Sequence, residues 1–245
     1  MPRDLFSNQA EGYAKYRPVY PQELFDHILQ FITEKNTAWD CATGNGQAAF
    51  ALAPHFKKVI ATDMSEKQLS LAKPHPNIQY QIASAEQTNF PDNSFDLITV
   101  AQAYHWFKFD MFEKELKRIA KKEAVIAVWG YNLFSTNDEI INALIKIFYT
   151  KIVGPYWDAE RKYVDDNYKG VPFNFTPLPT AAFFIKTEWS KDEVVGYLNS
   201  WSAVQHFIDA KKYNPVDDII NDLDILWKDV KHVSFPVFLK LGRVL

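Results

Sequence analysis

Over the first half of the chain the apolar positions alternate between two spacings. Leu24, Phe25, Ile28, Leu29 and Ile32 keep the spacing of one helical face. Residues 37–42 then read as a strand and residues 47–53 as a helix of strong helix formers. Short apolar strands follow at 58–63, 78–82, 95–101 and 124–129. Between them helices are predicted over 66–73, where Pro74 and Pro76 stop the run, and over 110–122, on Met111, Phe112, Leu116 and Ile119. Strand and helix in alternation predict a parallel sheet with helices on both faces.

Beyond Tyr131 the rhythm changes. Residues 140–152 read as a helix, and 154–179 as an irregular stretch in which Pro155, Pro172, Pro177 and Pro179 stand among aromatics. Strand character returns at 182–189, helices follow near 191–209 and 216–230, and residues 233–244 form a last strand. With no glycine- or serine-rich linker, residues 1–245 read as a single domain. Within it, residues 1–35 supply an N-terminal cover and helix, and residues 132–180 a helical insert or lid.

Candidate chemistry starts where the first strand meets the first buried helix, at Asp40-Cys41-Ala42-Thr43-Gly44-Asn45-Gly46-Gln47. Gly44 and Gly46 are the closest pair among the eight glycines of the chain. A strand, a glycine turn and a helix let backbone approach a ligand closely and offer unpaired N–H groups to it, so a nucleotide-like cofactor is expected. The next strand ends in Asp63, whose carboxylate could accept both hydroxyls of a ribose; a plain turn or capping aspartate is the structural alternative. Gln102-Ala103-Tyr104-His105-Trp106-Phe107 tops the fourth strand with dense side-chain chemistry.

Charge and composition narrow the classes. The 245 residues carry 27 basic and 30 acidic side chains, net −3, with no long like-charge run, so neither a nucleic-acid nor a membrane surface is expected. A single cysteine, no signal-peptide pattern and no long apolar window fit a cytoplasmic protein. His27, His55, His75, His105, His206 and His232 show no ligand spacing, and no metal is expected. Aromatics are 16% of the residues, with seven tryptophans, enough for a large core or an aromatic-walled pocket.

Together, Tyr13-Ala14-Lys15-Tyr16-Arg17-Pro18-Val19-Tyr20-Pro21, the Asp40 to Gln47 turn, Ala85-Glu86, Phe90-Pro91-Asp92-Asn93-Ser94-Phe95-Asp96-Leu97, Gln102-Ala103-Tyr104-His105-Trp106 and Gly196-Tyr197-Leu198-Asn199-Ser200-Trp201-Ser202 resemble the class I S-adenosylmethionine-dependent methyltransferases. The likeness is greatest to the subgroup similar to trans-aconitate methyltransferase. It implies a Rossmann-like α/β three-layer sandwich whose seven-stranded, mostly parallel sheet has the order 3-2-1-4-5-7-6 and an antiparallel last strand. It also implies S-adenosyl-L-methionine as cofactor. By position, Asp40 would help orient the methionine amine, Ala42, Gly44 and Gly46 would make room for the methionyl part, and Asp63 would hold the ribose. Met64, Ala85 and Glu86 would flank the adenine, Ala101 and Gln102 would lie beneath the sulfonium, and Tyr13 and Arg17 would fold over the cofactor. Ala42 stands where the family has its first loop glycine, and Ser84 where many relatives have an acid.

The expected activity is methyl transfer to a small organic molecule, with a carboxylate favoured because it is already ionised and attracted to the sulfonium. Arg17 and Arg161 would clamp such an acceptor, Tyr104, Trp129 and Trp201 would wall it in, and His105 is the candidate general base. A monomer or a homodimer would serve. The alternatives are a non-catalytic cofactor-binding module and, on the Tyr104 and Lys108 pair, a nicotinamide-dependent oxidoreductase.

Overall fold

The computed structural model describes residues 16–244. In chain order they form α1 (Gln22–Leu29), β1 (Thr37–Cys41), α2 (Gln47–Leu52), β2 (Lys58–Asp63), α3 (Glu66–Ser70), β3 (Ile78–Ile82), β4 (Phe95–Ala101), α4 (Phe109–Ile119) and β5 (Ala120–Tyr131). The second half holds α5 (Glu139–Ile147), α6 (Arg161–Asp165), the two-residue β6 (Thr176–Pro177), β7 (Phe183–Trp189), α7 (Lys191–Asn199), α8 (Ser202–Lys211), α9 (Ile220–Leu226) and β8 (Lys231–Arg243).

The strands make one sheet in the order β3-β2-β1-β4-β5-β8-β6, with β7 also paired to β8. Strands β1 to β5 pair parallel; β8 runs antiparallel to β5 and to β7. This is the expected Rossmann-like methyltransferase sheet, with β6 as a short addition beside Gly242 and Arg243. Alternation along the strands divides the core into two clusters. Ala38, Val59, Ala61, Leu97, Val125, Ala127 and Trp129 pack with α1, α2 and the C-terminal helices, whereas Trp39, Cys41, Ile98, Val100, Ile126 and Val128 pack with α4. Central strands covered on both faces need apolar side chains on both, which explains why β4 is an almost unbroken buried run.

Two boundaries differ from the sequence reading. The helix expected over 110–122 ends at Ile119 because the turn before β4 takes its last carbonyls: Asn93 N–H donates to Arg118 at 3.1 Å and Ser94 N–H to Ile119 at 2.7 Å. Ala120 then pairs with Phe95, and Lys121 reaches Asp96 at 2.7 Å, so the lysines that looked helical begin a strand. The helix expected over 140–152 is α5 followed by a π turn at Phe148–Ile152.

Because β1 lies between β2 and β4, chain direction across the sheet reverses beside it. The carboxyl ends of β1, β2, β4 and β5 therefore open onto a common crevice.

Candidate active site

The loop after β1 is built around Asp40, which is fully buried. Register sets Asp40 beside Thr99 of β4, and the Thr99 hydroxyl donates to one carboxylate oxygen at 2.7 Å. The other oxygen takes the Thr43 hydroxyl and, at 3.0 Å, the Ala49 N–H of α2. Burial pushes the Asp40 carboxyl up to about 6 against these hydrogen bonds. Its oxygens thus fasten strand, loop and helix together, and any influence on a bound amine acts through the loop's shape.

The loop's backbone is left-handed at Ala42, Gly44 and Gly46, with φ of 54, 57 and 82°. At Gly46 a Cβ would also stand 2.6 Å from the Tyr80 hydroxyl, so this position needs both the freedom and the small size of glycine. Ala42 adopts the same backbone with its methyl in place, a conformation that costs an L-residue roughly 1–2 kcal/mol. Asp63 accepts the Gly44 N–H at 2.8 Å and the Ser65 N–H at 2.9 Å, so the end of β2 is tied to the loop. Beside the loop, the side-chain carbonyl oxygens of Gln47 and Gln68 are buried without a hydrogen-bond partner, and Gln68 Oε1 lies 3.8 Å from where a Gly44 Cβ would be. Two buried acceptors next to glycine backbone that a ligand can approach closely suit a ligand group rich in N–H donors. An aminoacyl group fits that description.

Met64 is exposed next to Asp63, and Ala85 is buried. Glu86 takes the Ser84 hydroxyl at 2.5 Å and the Lys108 N–H at 3.1 Å, so its carboxylate shapes the turn. Ala101 and Gln102 end β4. The Gln102 amide accepts the Tyr131 N–H at 3.0 Å and donates to the Tyr131 carbonyl at 3.3 Å, joining the ends of β4 and β5. Tyr13 lies outside the described residues.

Past Gln102 the fold encloses a cavity of about 60 Å³ lined by Arg17, Gln102, His105, Trp106, Trp157, Asp158, Arg161, Tyr197, Ser200, Trp201 and Ser202. Arg17 and Arg161, separated by most of the sheet in sequence, meet here. Arg17 Nη1 donates to the Tyr131 hydroxyl at 2.7 Å. Arg161 packs over Trp157 and Tyr149, 4.8 and 5.4 Å from their ring centres, and its Nε donates to the Tyr149 hydroxyl at 2.7 Å. Its hydrogen bonds use Nε alone, which leaves both terminal nitrogens without a hydrogen-bond partner in a residue that lines the cavity. Trp201 is stacked with Trp157, Tyr149 and Tyr197.

His105 also lines the cavity, with Nδ1 2.8 Å from the Tyr168 hydroxyl and its ring against Trp106. Burial, with the Arg161 charge adding to it, holds the imidazole neutral down to about pH 3. A group whose conjugate acid is so strong draws a proton feebly near neutrality. Two expected wall residues are core residues instead. Tyr104 is buried among Phe107, Phe109, Phe112 and Tyr168, with its hydroxyl donating to the Pro172 carbonyl at 2.9 Å. Trp129 is enclosed by Tyr20 and Phe25 because its place in β5 turns it toward α1.

Sequence reasoning did not assign Trp106, Trp157, Asp158, Tyr197, Ser200 or Ser202 to the site. One signal was available. Gly196, in the same motif as Tyr197 and Trp201, approaches the N-terminal segment so closely that a Cβ would stand 2.5 Å from the Tyr16 ring. Among the described residues no three potential metal ligands cluster, and no helix is long and apolar enough to cross a membrane.

Comparison with known proteins bears on this architecture. Residues 39–128 match the model of a methyltransferase domain. A protein named as a methyltransferase in Dictyostelium discoideum is 34% identical over 249 residues, covering 98% of this chain and 95% of that protein. One named as an S-adenosylmethionine-dependent methyltransferase in Saccharomyces cerevisiae is 28% identical over 190 residues, 71% of this chain and 63% of that one. The solved structure of a protein described as a type II methyltransferase from Anaeromyxobacter dehalogenans superposes with a TM-score of 0.86 at 34% identity, over 94% of this chain and 99% of that one.

Proposed function

The chain belongs to the class I S-adenosylmethionine-dependent methyltransferases, and from that premise we propose that its acceptor is a small organic acid methylated on a carboxylate oxygen. The observation that carries this reading is the pair of unpartnered terminal nitrogens of Arg161 at a cavity that Arg17 also lines. A guanidinium with two parallel donors free matches a carboxylate. The cavity's size sets the scale. About 60 Å³ holds on the order of four to six water-sized groups, so a compact acid fits where a macromolecular side chain with its backbone does not. The resemblance to the small-acid subgroup supports the same choice.

S-adenosylmethionine, when bound, would supply a methyl group on a sulfonium, which an acceptor oxygen would take by direct displacement, the C–S electron pair staying on sulfur. In this reading Asp63 holds the ribose hydroxyls, Gln47 and Gln68 receive N–H donors of the aminoacyl end, and Asp40 keeps the loop in shape for them. Met64 and the turn at Ala85 and Glu86 border the adenine, and Ala101 and Gln102 form the floor between cofactor and acceptor. Arg17 and Arg161 orient the carboxylate, Trp157 and Trp201 exclude water, and neutral His105 serves as a hydrogen-bonding wall. No proton has to leave an ionised carboxylate, so the site works without a base. Residues 132–180 act as an insert of the same domain that completes the acceptor side, with the N-terminal segment as a cover.

A methyl-transfer screen over small acids, amines, phenols, a peptide and an RNA tests the proposal. Small acids are expected to turn over, with a loss of about 10- to 100-fold in Arg161→Ala and in Arg17→Ala while thermal melting stays cooperative. Turnover of the peptide or RNA with none of the acids overturns it.

A further inference from the structure

Arg161 is not the only charged group at the cavity. Asp158, one turn earlier in the chain, lines it too, yet the two do not pair: Arg161 Nε is bridged to Asp165 at 3.3 Å. Asp158 accepts the Ser202 hydroxyl at 3.2 Å through Oδ2 and stands 4.0 Å from His206 Nδ1. That imidazole nitrogen is committed elsewhere, donating to the Tyr156 carbonyl at 3.0 Å, so Asp158 keeps Oδ1 without a partner. Both side chains are mostly buried, with about a fifth of each exposed, 22% for Asp158 and 19% for Arg161.

Opposite charges at one small cavity attract strongly and close on each other unless something holds them apart. Here aromatic packing does so: Arg161 is pinned over Trp157 and Tyr149, and Asp158 is turned toward Ser202 on α8. The result is a cavity whose lining holds both a cationic donor and a carboxylate acceptor that do not pair with each other. A ligand that is only an anion satisfies half of it and brings its charge near Asp158. A ligand with an ammonium group beside its carboxylate satisfies both.

Resting on the reading of a small-acid acceptor, we infer that the acceptor is dipolar, an amino acid whose carboxylate meets Arg161 and whose ammonium meets Asp158. Asp158 is then a specificity-determining residue. It also directs the chemistry. An amine held as ammonium by a carboxylate has no lone pair to attack with, so the carboxylate oxygen remains the nucleophile.

The test is calorimetric binding, in the presence of S-adenosylhomocysteine, of four compounds close in size: alanine, lactate, propionate and isopropylamine. Wild type is expected to bind alanine about tenfold tighter than propionate, the size of one charge-assisted hydrogen bond. Asp158→Asn is expected to bring alanine to the level of propionate, while propionate binding holds or tightens, with melting checked to confirm the fold. Arg161→Gln is expected to weaken all three acids. Equal binding of alanine and propionate to wild type, or an equal loss of both in Asp158→Asn, overturns the dipolar inference and leaves the small-acid reading standing. Isopropylamine binding better than every acid, no effect of Arg161→Gln, or no binding of any of the four at millimolar concentration overturns both.

Discussion

The crevice at the sheet's carboxyl edge has two sides that handle charge in opposite ways. On the glycine-loop side, Asp40, Asp63 and Glu86 use their oxygens on N–H and hydroxyl groups of the loops, strand and helix that border it. On the cavity side, Arg161 packed over aromatic rings and Asp158 beside Ser202 have donor and acceptor capacity left over. The first arrangement fixes a backbone shape, as the proposed cofactor side requires. The second leaves side-chain donors and acceptors open, as the proposed acceptor side requires. Their acid responses differ in sign as well, because a buried carboxyl and a buried imidazole pay for burial in opposite protonation states.

The comparison is broken most severely at Gly46. Gly46→Ala places a methyl against Tyr80 in left-handed backbone and is expected to cost roughly 2–5 kcal/mol of stability in denaturant unfolding. A loss below about 1 kcal/mol means that the loop is not the rigid side. Next, Asp63→Ala is expected to weaken S-adenosylmethionine binding by roughly 2–4 kcal/mol in calorimetry, since it removes the proposed ribose acceptor and the tie to Gly44. An unchanged affinity takes Asp63 out of the site.

The pH responses sharpen the contrast. His105 is neutral in the fold down to about pH 3 and titrates near 6.5 when unfolded, so the unfolded chain gains protons first on acidification and stability falls. Between pH 7 and pH 4 this amounts to about 3 kcal/mol. Asp40 titrates at about 6 in the fold and 3.8 unfolded, so over the same range the folded chain gains the proton and stability rises, by about 2 kcal/mol. Unfolding at pH 7 and pH 4 should therefore show His105→Gln moving toward greater relative stability in acid. Asp40→Asn should move the other way, since its amide can keep the Ala49 and Thr43 bonds and donate to Thr99. Identical pH profiles for wild type and both variants contradict the two burial effects. The smallest change is at Ala42. Ala42→Gly relieves the left-handed strain and is expected to stabilise the protein by up to about 1 kcal/mol, read as a raised melting temperature.

The same division explains what could be read from the residues alone. The order of strands and helices through β5, the loop at Gly44 and Gly46 and the acid at the end of β2 depend on neighbours within a few positions, and a linear reading sees those. The end of α4 was misplaced because the turn at Asn93 and Ser94, 25 positions earlier in the chain, and not local propensity, takes the Arg118 and Ile119 carbonyls. Tyr104 and Trp129 were misassigned because composition marks a residue as aromatic without saying which face it turns to. Asp158 was missed because its significance lies in its failure to pair with Arg161, and sequence spacing alone suggests that neighbours of opposite charge one turn apart do pair.

Strand β8 carries a consequence for the order of assembly. It is the last of the eight strands in sequence, yet it lies inside the sheet, joining β5 on one edge to β6 and β7 on the other. Its Arg243 also reaches the Phe31 carbonyl across 212 positions of chain. During synthesis the glycine-loop half can form its five parallel strands while β5 still shows a bare edge and β7 has no strand to join. The other half must wait for β8 to thread between them, a closure of high contact order and thus a slow one. Until it happens, the nascent chain is an unfinished sheet with exposed hydrogen-bonding edges, the state in which association with another copy competes with folding.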